Sequence, residues 1–446
     1  MLNISLNKCY FLIFTIGSFG SYFIIAYFLH RENIFPLFGL YALLSGLYFF
    51  ILVEKKLLSE YYYLFIFISF IFRLLFFPSS PELSDDFYRF IWDGRLTAEG
   101  LNPFAYLPNQ VFQEKLIDGI SNTELFLKMN SPNYYSIYPP ILQFIFLISV
   151  KLSFGHNNIA VFNMRIFILL AEFGTYIYLI KILDFLKFNK TKVFLYLLNP
   201  LVVIELTGNL HFEAVMIFFL TASIYYLIIN KLDFSSILIA LSICTKMVPL
   251  LFIPIIVKKI GFRSGVRYSS ITFGIIFLSF LPFIDNQLFY HIGDSIMLYF
   301  QKFEFNASFY YLLREIGYNI VGYNAIGFLG KVLPIISTSL ILIISFRGDG
   351  NETWEVFFSR ALKILFIFYL FSLVVHPWYI SLLVLISVLT QNRFAIVWSI
   401  VIFGSYFAYS YIPFKENLVV NAFEYTVVII YFFYENKKLK SINILN

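Results

Sequence analysis

Apolar runs of bilayer length alternate with short charged loops along most of this chain. The first three runs, near residues 10–29, 36–53 and 61–78, are close to the ~20 residues a helix needs to cross ~30 Å of hydrocarbon. The run 139–153 is shorter and predicts an interfacial or half-inserted helix, followed by one full crossing at 159–183. The run 235–257 has Lys231 before it and Lys258 after it, which predicts a hairpin of two short helices around Thr245 and Lys246. One long polar stretch, residues 79–138, interrupts this pattern. Within it lies SDDFYRFIWDGRLTAEGLNPFAYLP, residues 84–108.

Composition turns the pattern into a class. Of 446 residues, 60% are hydrophobic and 13% charged, with a mean hydropathy of +0.80. No soluble core uses that much apolar surface. The prediction is an all-α fold: a single polytopic transmembrane helical bundle over 1–446, with roughly 11–13 membrane helices. The net charge of +6 lies largely in short loops, so it reads as a topology signal and not as a nucleic-acid surface. Cys9 and Cys244 offer neither a disulfide framework nor metal spacing. The run Tyr10–Leu29 is too long for a cleavable signal and reads as a first membrane helix. Phe (58) and Tyr (33) are abundant but spread evenly, so no aromatic cluster marks a site by itself.

Charge sets the expected sidedness. Lys55 and Lys56 hold the loop between the second and third runs in the cytoplasm. Lys187, Lys190 and Lys192 mark a further inner loop, as do Lys258, Lys259, Arg263 and Arg267. Arg347, Arg360, Lys437, Lys438 and Lys440 complete the inner set. The third run then delivers 79–138 to the outer, periplasmic face of a bacterial cytoplasmic membrane. This external loop carries eight acids (Glu82, Asp85, Asp86, Asp93, Glu99, Glu114, Asp118 and Glu124) against four bases (Arg89, Arg95, Lys115 and Lys128). The same face collects Tyr138-Pro139-Pro140, the turn GNLHFEA (208–214), the loop 288–328 and His376-Pro377-Trp378.

Several of these residues can carry chemistry. Asp85 and Asp86 are adjacent acids beside a membrane. One carboxylate can remove a proton from an attacking hydroxyl, and adjacency disfavours joint ionisation, which raises one pKa towards use. Both also suit the start of a helix, with Ser84 and Asp85 at the N-cap. A divalent cation on this pair lacks a histidine ligand and is weakly supported, so no cofactor is expected. Arg89 stands at helical spacing from Asp85, Asp86 and Asp93, which predicts either salt-bridged pairs or substrate contact; Asn102-Pro103 should end that helix. Lys246 is an ionisable residue near the middle of an apolar segment, a costly position. Its partner is either a lipid-linked phosphate or a buried acid such as Glu172 or Glu205. His211 and Glu213 sit in an outward turn and read equally as substrate hydrogen bonding or structure. Asn306 heads a sequon that reads as chance. His376 precedes a proline break, with Trp378 and Tyr379 suited to the interfacial belt.

Taken together, these segments resemble the C-type (GT-C) membrane glycosyltransferases, nearest to the mannosyltransferase-like branch that uses polyprenyl-phosphate sugars. The residues that carry the resemblance are 84–108, YSIYPPILQFIF (135–146), NPLVVIELTGNLHFEAV (199–215), ALSICTKMVPLLFIPI (240–255), FNASFYYLLR (305–314) and HPWYI (376–380). It implies that Asp85 or Asp86 is the catalytic base, with the alignment leaning to Asp85, and that Lys246 lies near the carrier phosphate. It also implies that Tyr138-Pro139-Pro140 shapes the same cavity; Arg89, Asp93, Tyr138, His211, Glu213, Asn306 and His376 are the further candidates for substrate binding. Relatives often read G-H-x-D where this chain has Gly208 to Glu213, which leaves that acid's role open. The implied activity is inverting transfer of a hexose, mannose foremost, from a polyprenyl-phosphate donor to a glycan, lipid or protein hydroxyl. The alternatives are a polysaccharide or lipid-carrier transporter or flippase, and a scaffold subunit of an envelope-assembly complex.

Overall fold

In lipid every backbone N–H and C=O must be satisfied internally, so an apolar chain of this kind is expected to be helical. The computed structural model describes residues 6–116, 123–301, 303–348, 350–411 and 414–445; Asp118 lies outside them. Among these residues the fold is all-helical, apart from one isolated bridge between Phe305 and Val374. Helices α1 (Leu6–Phe28) and α2 (Ile34–Val53) come first, then the shorter α3 (Tyr62–Leu74). The external loop is built on α4 (Asp86–Ala98). It leads to α5 (Pro140–Lys151) and the long α6 (Asn157–Phe185). Next come α7 (Glu213–Ile228), α8 (Leu232–Ile243), α9 (Ile253–Ile260) and α10 (Phe262–Phe280). The C-terminal part holds α11 (Ile326–Phe346), α12 (Trp354–Phe371), α13 (Ile380–Val388) and α14 (Leu418–Leu445).

Among the described residues, six helices are long and apolar enough to cross a bilayer, and a seventh span arises if Lys190–Leu197 and Pro200–Gly208, bent by 53°, count as one. The remaining apolar runs form helices of 10–17 residues, which explains the gap from the larger number expected. The run 61–78 is one of these: its helix, α3, stops at Leu74. Short helices have a geometric meaning here. The 12 residues of α8 rise only ~18 Å, against ~30 Å of hydrocarbon. A helix that starts at the inner surface and ends after 12 residues delivers its last residue inside the membrane's thickness. α8 ends at Ile243, and the chain breaks at 244–247 before resuming as helix, as the expected pair of short helices around Thr245-Lys246 requires.

Loop contacts sort the two ends of the bundle. At one end Arg31 meets Asp85 at 2.6 Å, His30 meets Glu82 at 2.7 Å, and Asn102 bonds Asp285 at 3.0 Å. At the other, Asn7 bonds Glu60 at 2.6 Å, Arg267 meets Asp233 at 2.6 Å, and Lys192 donates to the Thr390 carbonyl at 3.2 Å. The α1–α2 loop and the acidic external loop therefore share one face, while the lysine-rich loops share the opposite one.

Buried ions tie the helices together between these faces. Arg73 of α3 reaches Glu172 of α6 through its Nε and donates to the Ser69 and Leu197 carbonyls at 2.8 and 2.9 Å. Arg165 of α6 binds the carbonyls of Thr207 (3.0 Å), Gly208 (2.8 Å) and Phe77 (3.1 Å), which fixes the end of the bent segment. That bend begins where Asn199 caps Leu201 N at 3.0 Å and Pro200 takes the first helical position. Close packing matters as much: an added Cβ on Gly94 would sit 2.6 Å from the Phe146 carbonyl oxygen, so glycine lets α4 lie directly on α5. Since Arg73 and Glu172 are both fully buried, Arg73→Met should cost about 3–5 kcal/mol by stranding the carboxylate. Thermal unfolding in detergent should show a lowered Tm, with most of it recovered in Arg73→Met/Glu172→Met. An unchanged Tm in the single variant would mean that the pair does not hold α3 to α6.

Candidate active site

Asp85 and Asp86 open α4 at the end of the bundle that also holds the α1–α2 loop. Asp85 occupies the N-cap position, but its side chain makes no capping bond. It is instead held by Arg31 of the α1–α2 loop at 2.6 Å. Asp86 accepts from Asn130 Nδ2 at 3.1 Å and is half-buried. Burial pushes its carboxyl above the ordinary carboxylate range, and Glu213 and Asp85 push the same way. The Asn130 hydrogen bond and the Lys246 charge oppose the shift. An acid poised above its usual value while close to a cation suits proton removal near neutral pH.

Lys246 stands at the break after α8, near enough for its charge to act on Asp86. Its partner is neither Glu172 nor Glu205, the acids expected from the sequence. Glu172 is taken by Arg73, and Glu205 accepts from Tyr406 at 2.8 Å and Asn209 at 3.0 Å. Lys246 instead meets Glu213, the first residue of α7, at 3.0 Å. Its ammonium lies 5.9 Å from the centre of the Tyr138 ring. The lysine side chain remains 24% exposed while that of Glu213 is only 4% exposed, so the pair is not sealed on the lysine's side. The second oxygen of Glu213, Oε2, has no hydrogen-bond partner among the described residues.

A column of rings closes the site laterally. His211 stacks on Trp378 at 3.6 Å, Trp378 on His376 at 4.3 Å, and His376 on Phe305 at 4.6 Å. Trp378 is thus buried between two histidines and is not part of an interfacial belt. His211 follows Leu210, a non-glycine residue at φ 65°, a conformation that stores strain and is retained where surroundings over-determine it. His211 Nε2 and His376 Nδ1 are buried without hydrogen-bond partners among the described residues. Burial, with the charge of Lys246, pushes His376 down to about 3. His211 is also pushed well below its usual value, first by burial and then by Lys246 and His376. Both rings are therefore neutral at pH 7.

Three expected substrate contacts have other work. Arg89 pairs neither with Asp85 nor with Asp86. Its Nε meets Asp93 at 2.6 Å, and its Nη1 donates to the carbonyls of Ser131 (3.0 Å) and Tyr134 (2.8 Å). Asp93 also accepts from Ser136 at 2.5 Å and Gln143 at 3.2 Å. Both charges are sealed, and they position the strand of chain that presents Tyr138. Asn306 spends its Nδ2 on Val375 O (3.4 Å) and Glu424 (3.2 Å), buried against α14, so its sequon is closed to modification. Nor does Asn102-Pro103 end α4; the helix stops at Ala98, and Gly100 turns the chain at φ 78°. Missed from the sequence were Arg31, Asn130 and Tyr409, whose ring lies 4.8 Å from the Arg31 guanidinium. Only the sidedness of the α1–α2 loop hinted at Arg31. Among the described residues, no group of three His, Cys, Asp or Glu side chains is placed to hold a metal ion.

Residues 52–260 match the family described as "Alpha-(1->6)-mannopyranosyltransferase, N-terminal domain" (MptA_B family). The matched segment holds Asp85, Asp86, Tyr138, His211, Glu213 and Lys246. The match fits a GT-C, mannosyltransferase-like membrane protein and supports mannosyl transfer as the general activity. No curated protein and no solved structure matches the chain.

The His376 environment sets a pH dependence. Its folded pKa of about 3 lies below the ~6.5 of an unfolded histidine. Between these values the unfolded chain binds a proton that the folded chain refuses, so stability falls as pH falls through that window. On going from pH 7.5 to 5.5, wild type should lose more Tm than His376→Gln. Equal losses would show that His376 is protonated freely in the fold.

Proposed function

We propose that this chain is an inverting glycosyltransferase that moves a hexose, mannose in the first instance, from a polyprenyl-phosphate carrier to an acceptor hydroxyl at the outer face of a bacterial cytoplasmic membrane. The observation that carries the reading is the Lys246 ammonium held by Glu213 and beside the Tyr138 ring, close enough for its charge to act on Asp86, 160 positions away in sequence. A proton acceptor and a cation on one space suit a displacement in which the two ends of the reaction need opposite charges. The family match to residues 52–260 supports transfer over transport.

In this reading the carrier phosphate lies against the Lys246 ammonium. Asp86 takes the proton of the acceptor hydroxyl as its oxygen bonds to C1 of the sugar. The bond from C1 to the phosphate oxygen breaks on the opposite face, and the anomeric configuration inverts. The leaving phosphate carries away the electron pair, and Lys246 stabilises its charge. The proton passes from Asp86 to solvent. Asp85, the residue favoured by alignment, is committed to Arg31, which fits it better for orienting its neighbour. Glu213 holds the ammonium in place. The neutral His211–Trp378–His376 stack excludes water without competing for the phosphate.

The test incubates purified protein with a panel of polyprenyl-phosphate sugars and acceptors and follows carrier release by mass spectrometry. Asp86→Asn should lose at least ~10²-fold in kcat with donor binding retained, and Asp85→Asn should lose less. Near-normal turnover in both would rule out a carboxylate base. A metal on the pair would show as loss of activity with chelator and recovery with a divalent ion. Lys246→Met/Glu213→Gln, which removes the pair without leaving a lone charge, should raise donor KM by at least ~10-fold, since a charge-assisted contact to phosphate is lost. A Tm loss with unchanged KM would mark the pair as structural.

Orientation has its own measurement. A cysteine at exposed Gln110 should react with a membrane-impermeant thiol reagent in intact spheroplasts. Reaction only after disruption of the membrane would place the acidic loop in the cytoplasm.

A further inference from the structure

The outer end of the bundle holds a second concavity, beyond the residues matched by the family model. A cavity of about 740 Å³ opens between Phe303-Glu304, the helix Phe309–Val321, Tyr411 and residues 414–419 at the start of α14. Its aromatic walls are Phe303, Tyr411 and Phe414, each with an exposed face. Its polar groups are held in place. Arg314 bonds Glu304 and meets Glu315 at 2.9 Å, and the Tyr310 hydroxyl donates to Glu304. Glu416 accepts from the Asn306 backbone at 3.1 Å and from Asn421 at 2.9 Å.

Charge and shape narrow the occupant. Two carboxylates (Glu304 and Glu416) face two cations (Arg314 and Lys415) in the lining, so the cavity favours neither an anion nor a cation. Flat aromatic faces beside fixed donors and acceptors suit a neutral molecule that is apolar on one face and dense in hydroxyls around its edge. A sugar ring has that character.

The cavity also leads to the reacting groups. Phe414 lies 5.2 Å from Tyr409, over which Arg31 sits while it holds Asp85. On a second side, Phe414 stacks 6.1 Å from Phe305, which stacks on His376. We propose that this cavity is the acceptor site, and that it binds the end of a saccharide chain so that one hydroxyl is presented towards Asp86. The proposal rests on the transfer reading for the fate of that hydroxyl, and on the cavity itself for saccharide binding.

Binding is measured directly on the full chain in detergent, with an α-linked mannotriose followed by saturation-transfer NMR. Wild type and Asp86→Asn should bind alike, because Asp86 acts on the hydroxyl and does not form the cavity. Phe414→Ala and Tyr411→Ala should each weaken binding by at least ~10-fold, the loss of one stacking face. Under turnover they should raise acceptor KM with donor KM unchanged. Should Phe414→Ala fail to fold, Tyr411→Ala, at an exposed ring, carries the test. Failure of mannotriose to bind, or equal binding by wild type and both cavity variants, would overturn the proposal and leave the aromatics as contacts to the lipid headgroups. Cavity-dependent binding without transfer from any lipid-linked sugar would uphold the saccharide site and sink the transfer reading instead.

Discussion

An ion placed at depth in an apolar bundle has to find its counter-charge inside the protein. Most of the architecture follows from that constraint. Arg73 finds Glu172, Arg89 finds Asp93, and Lys246 finds Glu213. Arg165, which has no ion pair among the described residues, collects carbonyl oxygens from the end of the bent 200–208 segment and from the turn after α3. Each partnership joins segments distant in sequence or fixes a loop on a helix. Desolvation makes such pairs poor sources of net stability, yet breaking one is expensive. Their contribution is therefore specificity: they leave few ways to assemble these helices.

Of these pairs, Lys246–Glu213 is the one that stays partly open. Arg89 and Asp93 are sealed, and Arg73 and Glu172 are wholly buried, while the lysine keeps a quarter of its side chain accessible. A structural pair gains from being closed, because water competes for both partners. A partly exposed lysine whose charge acts on Asp86, with Glu213 Oε2 and His376 Nδ1 buried without hydrogen-bond partners among the described residues, is better explained by a ligand that completes the set. The short helices belong to the same logic. α7 and α8 can stop within the bundle if the site they serve is recessed there, where the proposed lipid-linked donor would arrive from the side.

Much of this was legible along the chain, and the part that was not has a common cause. Length and hydropathy found α1, α2 and α6, the short α5, and the break at Thr245-Lys246, because each is a local property of a run of residues. Lysine placement sorted the loops to two faces for the same reason. Partner choice is not local. Arg89 has acids at three positions with helical spacing, and spacing alone cannot rank them. The structure selects Asp93 because α4 begins only at Asp86 and the inward face carrying Arg89 and Asp93 lies against 131–143. For Lys246 the sequence leaves open a lipid-linked phosphate or a buried acid such as Glu172 or Glu205, yet the acid it meets begins the helix that packs directly on α8. The membrane helices divide in a way the sequence does not show: six, or seven with the bent pair, are long enough to cross, and the other apolar helices are shorter. Hydropathy reports that a run is apolar, and not whether it spans the membrane or ends at a recessed site.

The two carboxylates at the start of α4 show why neighbours in sequence need not share a role. Asp85 looks outward to Arg31 and ties the external loop to the α1–α2 hairpin. Asp86, one residue on, is rotated by about 100° about the helix axis and falls into the space that Lys246 and Glu213 share. Burial there raises its proton affinity, while the Asn130 bond and the lysine keep that rise in check. The balance has a direction: moving Lys246 away, or filling its open side with a phosphate, reduces the cation's pull on Asp86 and makes it a stronger base. In the proposed reaction, donor binding and base strength would thus be coupled through one lysine, and the site would become competent to accept a proton once the group to be displaced is in place.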